Sequence, residues 1–125
     1  GDIDVTATLE KFNSSNALAL LTSYAPPNRF GILETEGNQV VNFSEKPKSS
    51  DSMINAGFFV LSPEVINLVE NDSSVWEDYP LNQLAINGDL IFHEHRGFWQ
   101  PMDTLRDKNM LEIMWQNGEA AWKTW

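Results

Sequence analysis

The sequence predicts an α/β or α+β fold: a mixed sheet of about five strands with helices against it. Three observations predict it. Apolar residues at helical spacing alternate along the chain with short runs of strand length. Two of those runs flank a Gly-containing turn, the pattern of a β-hairpin. The chain is 125 residues long and 42% hydrophobic, the size and composition of a single domain, residues 1–125.

Each element follows from its local pattern. Val5, Leu9 and Phe12 recur at helical spacing behind Asp4, an N-cap residue, and predict a helix over 5–13. Ala17 to Tyr24 is an apolar run of strand length, closed by Pro26 and Pro27. Phe30–Thr35 and Gln39–Glu45 are predicted strands, joined through Glu36-Gly37-Asn38. Met53–Leu61 is apolar on both faces and predicts a central strand. Ser62-Pro63 reads as a cap with proline at the first helical position. Val65, Leu68 and Val69 supply the buried stripe of the helix that follows. Residues 71–78 form a loop, and a helix starts at Pro80, runs through Leu81, Leu84 and Ala85, and ends at Gly88. Leu90–His95 is a strand. Thr104–Gln116 is the last helix, with Leu111, Met114 and Trp115 on its apolar side and Gly118 as its stop.

Composition narrows the function classes. The formal net charge of −10 argues against a nucleic-acid backbone or an anionic membrane as partner. No apolar run reaches the roughly 18 residues of a membrane span. There is no cysteine, so disulfide and thiolate chemistry are excluded and a reducing cytoplasm is compatible. Any bound phosphate has to meet a local cation cluster, and Arg29, Lys46 and Lys48 are the candidates.

Three segments carry candidate chemistry: Pro27–Gly31 at the start of a strand, Glu45-Lys46-Pro47-Lys48 where a strand runs out, and Trp99–Thr104. Strand ends in open α/β sheets gather ligand groups. Glu45 beside Lys46 suits a sugar phosphate, the carboxylate accepting hydroxyl hydrogen bonds and the ammonium meeting the phosphate; the plain alternative is a solvated charged loop. Asp103 precedes a helix, so it serves either as an N-terminal cap or helix-dipole partner or as a carboxylate ligand for a hard cation such as Mg2+. Trp99 could stack on a sugar ring. His93 and His95 face one side of a strand, but no third ligand stands near them, which leaves a surface pair flanking Glu94.

Taken together and in order, these segments resemble the C-terminal half of the glucose-1-phosphate cytidylyltransferases, within the sugar nucleotidyltransferase superfamily. The matching stretches are PPNRFGIL (26–33), FSEKPK (43–48), MINAGFFVLSPEVI (53–66), Leu81–Leu84 and GFWQPMDTLRDKN (97–109), and together they span nearly the whole chain. The resemblance implies a partial nucleotidyltransferase-type mixed sheet with flanking helices. It implies that Asp103 is the second of two aspartates holding Mg2+, and that Glu45 and Lys46 grip glucose and its phosphate. Gly31 and Asn55 would line the sugar pocket, and Trp99 would lie on the loop leading to the metal aspartate. Substrates would be glucose 1-phosphate and CTP, in the cytoplasm.

Two departures qualify it. Asn28 stands where the family has glycine; asparagine tolerates the left-handed conformation better than most residues. The family's Gly-rich nucleotide loop and its Gly-Asp-Gly, with the first metal aspartate, have no counterpart here. The expectation is that the chain starts just past that aspartate and binds Mg2+ weakly. It would then turn over nothing alone. It would also self-associate as a homo-oligomer through Ala17–Tyr24, Met53–Leu61, Trp122 and Trp125. The alternative is a truncated, non-catalytic protein that binds sugar phosphate or only itself.

Overall fold

The computed structural model describes residues 1–26, 32–36, 39–44 and 53–125. In chain order they form α1 (Val5–Asn13), β1 (Ala19–Tyr24), β2 (Ile32–Glu36), β3 (Gln39–Ser44) and β4 (Ile54–Leu61). A 3-10 helix (Pro63–Leu68), α2 (Tyr79–Asn87), β5 (Leu90–His95) and α3 (Leu105–Gln116) follow. No helix among the described residues is long and apolar enough to cross a membrane.

The helix ends obey the capping signals. Asp4 caps α1 by accepting from the Ala7 amide at 2.9 Å. Thr8, fully buried, donates its hydroxyl to the Asp4 carbonyl at 2.7 Å, so a polar side chain is satisfied inside the helix layer. Gly88 closes α2 in the left-handed conformation, φ 79°.

β1 pairs antiparallel with β4 and parallel with β5, in the order β4-β1-β5. β2 and β3 form a separate antiparallel hairpin, so the five described strands divide into a mixed sheet of three and a ladder of two. The expected central strand is therefore at an edge of the described three-stranded sheet. Apolar residues on both faces report what covers a strand's faces, whereas central position depends on who pairs with its edges. β1 is the interior strand instead, with Ala19 and Leu20 fully buried. Ala17–Tyr24 consequently has no open edge to offer a second molecule. The helix expected after Ser62-Pro63 is a 3-10 helix that stops at Leu68, which leaves Val69 as an exposed cap. Val65 keeps its predicted burial.

The core sits at the start of β1. Ala19, Val65 and Leu84 pack there with Leu18, Leu68, Trp76 and Leu90. Asp89 ties this end together, its carbonyl accepting from the Leu18 and Ala19 amides at 3.0 Å. The other end of the sheet, where β1 and β5 finish side by side at Tyr24 and His95, is left for a site.

Candidate functional site at the carboxyl ends of β1 and β5

Tyr24 pairs with His95 on one side and Ile54 on the other, so the ends of β1 and β5 and the start of β4 meet in one place. Of the residues expected in a site, Asn55, Trp99 and Asp103 belong to segments leaving this end. Gly31, Glu45 and Lys46, with Arg29 and Lys48, lie outside the described residues.

Asn55 sits at a bulge. The β1–β4 register shifts between Leu21 and Ser23, and Gly57 adopts φ 80° inside the strand. The Asn55 side-chain oxygen accepts from the Gly57 amide at 2.8 Å, stapling the bulge. That contact uses the acceptor end of the amide and turns Asn55 into a structural element as well as a candidate ligand.

Trp99 is pinned rather than open. Its indole Nε1 donates to the Ala56 carbonyl on the same bulge at 3.0 Å. Its ring leans on Tyr24, centroids 5.1 Å apart and planes 35° from parallel. A ring held this way is fixed in place at this end of the sheet.

Asp103 is exposed and stands outside the cap of α3. The cap is Thr104, whose hydroxyl accepts from the Asp107 amide at 3.2 Å while the Asp107 carboxylate takes the Thr104 amide at 3.1 Å and the Thr104 hydroxyl at 2.8 Å. Thr104 therefore takes the cap, and what remains of the plain reading of Asp103 is the dipole partner. Its carboxylate stays beside the partial positive charge of a helix N-terminus.

His95 was expected on the surface and is instead buried, with its Nε2 3.0 Å from both the Asp2 carboxylate and the Phe98 carbonyl. The sequence held no signal for a partner 93 positions away. On the opposite face of β5 the Arg96 guanidinium donates to Glu94 at 2.9 Å, which holds that carboxyl below its usual range, with Lys11 adding a smaller attraction. Both groups are solvated, so the pair counts for little in stability.

The family model for nucleotidyl transferases matches residues 2–98. The chain belongs to the nucleotidyl transferase family. Glucose-1-phosphate cytidylyltransferases of Salmonella typhi and Salmonella typhimurium are each 52% identical to it over 124 residues, 99% of this chain and 48% of theirs. A mannose-1-phosphate guanyltransferase beta-A of Xenopus laevis is 30% identical over 83% of the chain and 29% of its own length. This nucleotidyl transferase chain therefore spans about half the length of the cytidylyltransferases it matches. Its fold is also that of a Bacillus anthracis structure assigned as a glucose-1-phosphate thymidylyltransferase and solved with sucrose, at TM-score 0.56 and 17% identity, covering 98% of this chain and 50% of that one.

Proposed function

We propose that the chain forms the sugar-phosphate side of a glucose-1-phosphate cytidylyltransferase, which joins CTP and glucose 1-phosphate into CDP-glucose and pyrophosphate. The observation that carries this is the 52% identity, spread over 99% of the chain, to Salmonella proteins of that name. A phosphate oxygen of the sugar attacks the nucleotide α-phosphate in line, and such transfers depend on positioning and charge neutralisation. Lys46 holds the attacking phosphate, Glu45 orients the glucose hydroxyls, and Gly31, Asn55 and Trp99 shape the pocket.

Asp103 fits one position of a Mg2+ shell: an exposed carboxylate that no cap consumes. Mg2+ takes one or two carboxylates plus phosphate oxygens and water, and when bound it neutralises phosphate charge. Among the described residues no cluster of three acidic or histidine side chains completes such a site. We read Asp103 as one half of that shell.

Two assays test this. Purified chain with CTP, glucose 1-phosphate and Mg2+ should yield no CDP-glucose above background, and turnover would sink the half-site reading. Calorimetry should show glucose 1-phosphate binding to the chain, weakened about tenfold or more by Lys46→Ala through loss of a charge-assisted contact. Equal heats for both proteins would remove Lys46 from the site.

A further inference from the structure

A cluster of side chains behind the candidate site joins four parts of the fold that are far apart in sequence. His95, 7% exposed at the end of β5, directs Nε2 at two oxygens, the Phe98 carbonyl and Asp2 Oδ1, each at 3.0 Å. A carbonyl only accepts, so Nε2 carries the hydrogen. The Asp2 oxygen lies off the hydrogen-bond line; it is buried and has no other donor among the described residues, so its contact with the ring is electrostatic. The Asp2 amide also donates to the Phe98 carbonyl, at 3.1 Å. Gly97 completes the fit, because a Cβ there would collide with the Asp2 carboxylate. Tyr24 bridges onward, its ring centroid 6.3 Å from His95 and 5.1 Å from Trp99, and Trp99 ends the chain of contacts on Ala56 in the β4 bulge.

We infer that His95 and Asp2 are positioning residues: together they latch the 97–99 segment, and through Trp99 they fix the distance between the β4 bulge that carries Asn55 and the loop that carries Asp103. The four anchors come from the N-terminal segment, β1, β4 and β5, so the loop cannot swing while the latch is closed. Gly97 is then required for close approach, since its removal would push out the carboxylate that His95 faces. That the loop serves a sugar phosphate rests on the function proposed above. The latch itself does not.

The test is hydrogen exchange of the Trp99 indole proton in the full chain by NMR, the resonance identified by its loss in Trp99→Phe. His95→Ala and Gly97→Ala should each speed that exchange about tenfold or more, while the Leu20 and Leu21 amides of β1 stay protected, the mark of a local opening. His95→Gln, whose amide can still donate to Phe98, should restore slow exchange. Unchanged indole exchange in Gly97→Ala, which keeps both His95 and Asp2, would overturn the latch. So would fast exchange in His95→Gln with β1 intact. Glucose 1-phosphate calorimetry on the same proteins reads the other half. Absence of binding by the unmutated chain sinks the functional reading and leaves the exchange result standing.

Discussion

Asp103 and Thr104 are adjacent polar residues at one helix start, and the sequence pattern points to Asp103 as its cap. The structure gives the cap to Thr104, and Asp107 reciprocates across the first turn. Losing a Thr cap costs about 1 kcal/mol. Thr104→Ala should therefore raise amide exchange in the first turn of α3 by about fivefold, as a local opening of that size would. Asp103→Asn should change it little, because a surface substitution away from a cap stays within about 0.5 kcal/mol. The prediction fails if the two variants loosen α3 equally, since Asp103 would then share the capping and its freedom to meet a cation would be in doubt. The sequence pattern starts the helix at Thr104 and makes Asp103 the cap candidate, one residue early. The choice depends on the Asp107 side chain turning back, which is a rotamer and not a pattern.

At the scale of elements, what was legible follows the range of the interactions. α1 starts after Asp4 and α2 ends at Gly88 as their caps dictate, because capping is settled within four residues. Strand positions held to within two residues for the same reason. Strand order did not, since β4 lost the centre to β1 through pairings made across tens of residues. His95 shows the same limit: alternation puts it on one side of β5 with His93, but its own contacts include Asp2, far away in sequence. The β4 bulge was legible only as a glycine in an apolar run. Gly57 has φ 80° with open space where a Cβ would point, so substitution there meets backbone strain and no steric contact. Gly57→Ala should lower stability by about 1–2 kcal/mol, the cost of a left-handed non-glycine residue, measured by urea unfolding. A neutral or stabilising result would mean the bulge can flatten, and Trp99 would then lose its fixed acceptor at Ala56.

The whole molecule buries its apolar surface unevenly. Four hydrophobic side chains make up the buried core of the described residues, all near β1 or behind it. α3 buries none of its side chains, and Leu105 and Ile113 are 71% and 57% exposed on it, with Met110 also open. A 12-residue helix is marginal on its own in water, so its apolar side calls for a partner surface. Of the surfaces expected to mediate self-association, β1 is paired on both edges and Trp122 is engaged with Phe98 at 5.5 Å, whereas β4 keeps an edge that no described strand pairs and Trp125 is exposed. In a solution of purified chain the available partner is a second copy. A chain spanning about half the length of its cytidylyltransferase relatives, with this helix uncovered, should therefore associate through α3. Light scattering at micromolar concentration should give at least twice the 14.2 kDa chain mass, and Ile113→Asp should return it to the monomer by placing a charge in the apolar contact. A monomer of the unmutated chain would show that the capping box and the chain's own packing hold α3 unaided. Association that survives Ile113→Asp would move the contact to the edges of β4 and β5 that no described strand pairs, where backbone groups can template a further strand.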